Sequence, residues 1–214
     1  MYALILVDIQ NDFMPGGALG VPYGDEIVPL VNHLQELFDF IIATKDWHPK
    51  MHSSFASSYP NKQPGDIIQI EGLDQILWPS HCVQETFGAD FFSELQQNCW
   101  SRVFLKGTNR SIDSYSGFYD NGHRRATGLG NYLDSKMIRT VYIVGLATDY
   151  CVKHTALDAI HLGFDTFVVT DACRGVNLSA GDIVMALRDM ENSGVKLVES
   201  HELIERYAAY GRLS

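Results

Sequence analysis

The sequence predicts an α/β fold: a mostly parallel, doubly wound sheet flanked by helices on both faces, in a three-layer sandwich. Two observations lead there. Six short runs rich in β-branched and aliphatic residues, at 2–7, 39–44, 102–105, 140–146, 166–170 and 195–198, are continuously apolar, as strands covered on both faces must be. Helical spacing lies between most of them, so strand and helix alternate along the chain.

The first strand, 2–7, ends at Asp8. Ile27, Leu30, Val31, Leu34, Leu37 and Phe38 then recur at helical spacing, which places a helix before the second strand at 39–44. The segment 46–92 is rich in His, Pro, Ser and Gly, with only 67–70 as a brief strand; so long an irregular stretch is a functional insertion by expectation. The third main strand, 102–105, runs into Lys106 and a loop, 107–130, that carries five glycines with Tyr115 and Phe118 and suits a substrate lid or rim. After the strand at 140–146 come Ala147, Thr148, Asp149, Tyr150 and Cys151, then a helix at 152–162 for which Thr148 or Asp149 is the expected N-cap.

At 214 residues the chain fits one domain, 1–214, carrying the insertion at about 46–92. With 46% hydrophobic and 20% charged residues it can bury a large core. A net charge of −10 with no basic run argues against nucleic acid or anionic membrane as partners. The apolar opening is cut at Asp8 and lacks a basic flank, so it makes neither signal peptide nor membrane span, and the expected location is the cytoplasm. Cys82, Cys99, Cys151 and Cys173 form no Cys-x-x-Cys and read as free thiols. Monomer and homo-oligomer both stay open.

Several enzyme classes are excluded by spacing. Gly16, Gly17 and Gly20 miss the dinucleotide fingerprint, there is no phosphate loop and no G-x-S-x-G elbow, and His201-Glu202 lacks the second His of a zincin helix. No nucleotide cofactor is expected. In parallel α/β sheets the ligand sits outside the carboxyl ends of the strands, and the residues there are chemically unusual. Asp8, Lys106 and Cys151 supply a base, an orienting ammonium and a nucleophile at one rim. At a helix start, the dipole would favour the Cys151 thiolate and its N–H could bind an oxyanion. Asp46 and His48, with His81 from Trp78-Pro79-Ser80-His81, make a two-His, one-carboxylate set for a divalent ion, and His52 is a candidate fourth contributor. Histidines in a Pro-rich loop also cap turns, so spacing alone leaves both readings open.

Five colinear segments carry a resemblance: Val7-Asp8-Ile9-Gln10-Asn11-Asp12-Phe13; Asp46-Trp47-His48-Pro49 with His52; Trp78-Pro79-Ser80-His81-Cys82; Lys106-Gly107 with Asp113-Ser114-Tyr115-Ser116-Gly117-Phe118; and Gly145 through Val152. Together they resemble the nicotinamidases (pyrazinamidases) of the isochorismatase-like cysteine hydrolases, over almost the whole chain. The resemblance implies hydrolysis of nicotinamide, with pyrazinamide as a further substrate, to the acid and ammonia through a Cys151 thioester, in NAD salvage. It implies an oxyanion hole from the N–H groups of Ala147 and Cys151, a cis Leu146–Ala147 peptide, and Phe13, Trp78 and Tyr115 around the ring. It also implies one divalent metal, zinc ahead of iron or manganese, on Asp46, His48 and His81 and binding the pyridine nitrogen. Glu85 departs from the family, which commonly has Gly there, and a positive φ would strain the loop beside His81. Another amidohydrolase of the superfamily, or a thiol and metal redox protein, are the alternative readings.

Overall fold

The computed structural model describes residues 1–213. In chain order the elements are β1 (Tyr2–Val7), α1 (Val28–Gln35), β2 (Phe40–Asp46), β3 (Ile67–Ile70), β4 (Leu73–Ile76), β5 (Arg102–Lys106), α2 (Leu129–Ser135) and β6 (Thr140–Leu146). They continue with α3 (Lys153–His161), β7 (Asp165–Arg174), α4 (Asp182–Asn192), β8 (Lys196–Val198) and α5 (Ser200–Tyr210). Six strands pair in the order β5-β2-β1-β6-β7-β8, every pair parallel, as the apolar runs predict. No described helix is long and apolar enough to cross a membrane.

The period of two in β1 divides the interior. Leu4 and Leu6 pack with Val28, Val31 and Leu34 of α1 and Leu203 of α5 on one face. Ala3, Ile5 and Val7 pack with Leu133 of α2, Ala156 of α3 and Met190 of α4 on the other. Both sets are fully buried, so the alternating faces of one central strand feed two cores.

Strand order reverses at β1: the chain builds outward through β2 and β5, then returns to lay β6 on the opposite side of β1. A crevice opens at such a switch point, outside the strand ends. Gly145 makes the two strands close there. Its φ is +118°, and a Cβ on it would lie 2.2 Å from the carbonyl oxygen of Val7, the residue before Asp8. The segment after β2 is less irregular than its composition suggests, because β3 and β4 form an antiparallel hairpin; β4, with the mixed sequence LDQI, gave no strand pattern.

Candidate active site

Four strand ends supply the charged residues. Asp8 follows β1 and is itself at φ +50°, a conformation Asp tolerates better than most residues but holds only where packing enforces it. Asp46 ends β2, Lys106 ends β5, and the two face each other in register across the ladder. Cys151 lies in a π turn, Thr148–Val152, between β6 and α3. Such turns interrupt helices mainly where a side chain must be re-aimed.

The Lys106 ammonium is the hub. Its Nζ lies 2.7 Å from Asp8 Oδ2, 2.5 Å from Asp46 Oδ1, 3.0 Å from the Ser114 carbonyl and 3.4 Å from Cys151 Sγ. Thr44 Oγ1 donates to Asp8 Oδ1 at 2.6 Å, so that oxygen is occupied. Asp8 Oδ2 has charge pairing with Lys106 but no hydrogen bond of good direction, and it is fully buried. One carboxylate oxygen each of Asp8 and Asp46 and the Cys151 sulfur all lie within 4.8 Å of one another.

Burial and charge push the two carboxyls apart. Burial raises the Asp8 carboxyl, and the Asp46 charge adds to that against the pull of Lys106. Burial acts on Asp46 too, but the Lys106 charge opposes it and this carboxyl is held well below its ordinary value. Asp46 therefore stays an anion while Asp8 can take and return a proton. Lys106 is held well above the ordinary lysine value because its two carboxylates overcome the cost of burial. The expected thiolate is corrected: burial pushes the Cys151 thiol well up, against the attraction of Lys106, so the resting group is the thiol. The expected cap is corrected as well. No side chain caps this turn, and Asp149 instead accepts from the Val176 and Asn177 N–H groups at 2.9 and 2.6 Å.

Asp46, His48 and His81 form a buried set that could hold a metal ion. His48 Nδ1 pairs with the Gly107 carbonyl at 3.0 Å and His81 Nδ1 with the Pro79 carbonyl at 2.8 Å, which fixes the proton on Nδ1 in each neutral ring. Both Nε2 lone pairs then face Asp46 Oδ2, at 3.5 and 3.7 Å, and His48 Nε2 is buried without a hydrogen-bond partner. Three acceptors converging with no donor between them fit a cation. Gly107 permits this: at φ +64°, a Cβ there would lie 2.4 Å from the His48 ring. His52 stands outside the set. Its ring is 4.4 Å from that of His48, but its nitrogens are spent on Ser54 Oγ at 2.7 Å and the Asn109 carbonyl at 2.9 Å. A second grouping, His48 with His52 and Asp113, is close in space but has the same limitation.

A small cavity of about 30 Å3 opens over these groups, lined by Phe13, Trp78, Tyr115, Ala147 and Cys151 together with Asp46 and His81. The cavity thus gathers the three expected ring contacts with the nucleophile and two of the ligand set, Asp46 and His81. The Leu146–Ala147 peptide is cis, as the resemblance implies. The Ala147 N–H donates to no other group among the described residues. Phe118, expected at a lid or rim, is instead 1% exposed and packs in the core with Leu129 and Phe164. Glu85 does adopt a positive φ, +63°, beside Cys82 at +44°.

Sequence reading missed several contributors. Tyr150 lines the cavity and meets Trp78 edge-on at 4.8 Å; its place one residue before Cys151 was the available signal. Asp113, two residues before Tyr115, puts a carboxylate 3.9 Å from His48 Nε2. Gln10 clamps Asp46 at both backbone groups, donating to its carbonyl and accepting from its N–H at 2.8 Å each.

Comparison with known proteins agrees with this geometry. Residues 2–202 match the isochorismatase domain model. A nicotinamidase from Escherichia coli is 47% identical over 91% of this chain and 93% of its own. A solved nicotinamidase–pyrazinamidase from Acinetobacter baumanii superimposes with a TM-score of 0.92 at 44% identity, covering 94% of this chain and 97% of that one. The pyrazinamidase of Pyrococcus horikoshii, solved in complex with zinc, gives 0.75 at 39% identity over 92% and 98%. A switch-point cleft holding an acid, an ammonium and a thiol, on a chain so similar throughout, identifies this protein as a member of the isochorismatase domain family, among its nicotinamidases.

Proposed function

We propose that the protein hydrolyses nicotinamide to nicotinate and ammonia, with pyrazinamide as a second substrate. The observation that carries this reading is the fully buried Asp8 carboxylate, ion-paired through Oδ2 to Lys106, whose ammonium also lies 3.4 Å from the Cys151 sulfur. Asp8 takes the thiol proton as Sγ attacks the carboxamide carbon, and the oxyanion that forms rests on the N–H groups of Ala147 and Cys151. Asp8 returns the proton to the amide nitrogen, the C–N bond breaks and ammonia leaves a thioester. Asp8 then accepts a proton from water, which attacks the thioester carbon; the sulfur departs and recovers its proton. Lys106 keeps its charge throughout and orients Asp8.

Asp46, His48 and His81 would hold a divalent ion, which when bound supplies a Lewis-acid point for the pyridine nitrogen, with zinc ahead of iron or manganese. Phe13, Trp78 and Tyr115 offer flat apolar faces to the ring. In this reading the chain works as one hydrolase domain, with about 46–92 inserted to carry the ligand set. Ammonia measured from nicotinamide with metal-replete protein tests it, together with mass spectrometry of the acyl-enzyme. Release with a thioester on Cys151 is expected; no release, or release that survives Cys151→Ala, rejects it.

A further inference from the structure

We infer that Gln75, on the β3–β4 hairpin, is a positioning residue that sets the aromatic wall of the substrate cavity. Gln75 is the one buried residue of the hairpin strands, at 5% exposure, while its neighbours are partly or fully exposed. An amide is costly to bury unless its donors and acceptors are used, and here the donors are aimed with purpose. Nε2 donates to the Ile76 carbonyl at 2.7 Å and to Tyr115 Oη at 3.1 Å, and lies 3.5 Å from Asp113 Oδ2.

Tyr115 Oη also accepts from the Trp78 indole N–H at 3.0 Å. Burial raises the Tyr115 phenol well above its ordinary value, so it stays a neutral hydroxyl with both lone pairs engaged. Two cavity-lining rings from different loops are thereby locked through one oxygen, and Tyr150 packs edge-on against both, at 4.8 and 5.6 Å. Gln75 thus ties the hairpin to the wall and to Asp113, which faces His48. It touches none of the reacting atoms. Its effect falls on how well the ring is held before and during reaction alike, which raises KM and leaves kcat.

This inference rests on the proposed nicotinamide reading, and the experiment separates the two. Steady-state hydrolysis of nicotinamide is measured for the wild type, Gln75→Leu, Tyr115→Phe and the double variant. Nicotinate binding by tryptophan fluorescence, alkylation of Cys151 by iodoacetamide and metal content are followed alongside. Gln75→Leu is expected to raise KM and the nicotinate Kd about tenfold, the scale of one buried hydrogen bond, with kcat, alkylation and metal content held within about twofold. The double variant should be no worse than the weaker single one, because both remove the same link. Unchanged KM and Kd, additive effects, or a loss confined to thermal stability would overturn the inference while a working wild type keeps the functional reading. A wild type that neither hydrolyses nicotinamide nor binds nicotinate overturns both. Should Gln75→Leu fail to fold, Gln75→Glu, equal in volume but repelled by Asp113, carries the same test.

Discussion

The rim of the sheet and the loops above it solve the same problem in different ways. At the rim, Asp46 and Lys106 are held by ladder register, and Asp8 by two backbone elements that meet at Gly145. Above it, the Trp78 and Tyr115 rings are tied by side-chain hydrogen bonds that converge on the Tyr115 hydroxyl from separate segments. Charge placement is therefore a property of the backbone, and ring placement a property of individual side chains. Chemistry should fail abruptly when the first region is altered, and recognition should degrade by degrees when the second is.

The largest effects belong to the rim. Cys151→Ala, Asp8→Ala and Lys106→Ala should each cut turnover by about a thousandfold or more, since members of one catalytic unit fail together. Lys106→Ala should also destabilise the fold by roughly 3–5 kcal/mol, because it strands two buried carboxylates; denaturant unfolding measures it. A stable, active Lys106→Ala protein would remove the hub from the account.

Next in size is loss of the ligand set. Chelation, or His48→Ala, should weaken nicotinamide binding by more than about tenfold while changing the iodoacetamide reactivity of Cys151 little. Equal loss of both would show that the rim and the ring site are not separable.

A smaller effect tests the loop side. His154 packs 5.3 Å from the Tyr115 ring, and burial together with the charge of Lys153 pushes it down to about 4. A depressed histidine gives stability that is whole above the unfolded value of 6.5 and is lost as pH falls toward about 4, because there the unfolded chain binds the proton first. Melting curves from pH 7 to 4 should thus fall more steeply for the wild type than for His154→Leu, by at most about 3 kcal/mol. Parallel curves would place His154 in solvent. The smallest change is Glu85→Gly, which relieves a left-handed φ of +63° and should stabilise by about 1 kcal/mol without altering turnover.

Much of the rim was legible because continuous apolar runs mark their own ends. The runs at 2–7 and 140–146 coincide with β1 and β6, so Asp8 and the turn bearing Cys151 could be placed at one rim of the sheet without coordinates, though their adjacency could not. In the loop region the ligand set was legible from residue types, while the ring contacts Phe13, Trp78 and Tyr115 were legible only through resemblance to known relatives. LDQI carries no strand pattern, and nothing in the sequence tells Gln75 to bury its amide. Phe118 was misplaced because an aromatic in a glycine-rich loop reads as a rim residue, whereas Gly117, where a Cβ would lie 2.8 Å from the Thr44 side chain, lets the chain dive into the core. The π turn was invisible for a similar reason: a residue pattern fixes a helix more readily than the pitch of its first turn. The protonation of Cys151 depends on burial in three dimensions, which helix position alone does not report.

The one-to-one pairing of β1 with β6, from Tyr2 opposite Thr140 to Val7 opposite Gly145, also fixes how this enzyme can vary. Deleting or adding a single residue within β1 would exchange the contents of its two cores and turn the Asp8 carboxylate away from Lys106. Helices and outer loops can change length freely in descendants of this chain, but the six-residue count ahead of the acid behaves as a ruler that admits substitution and forbids indels.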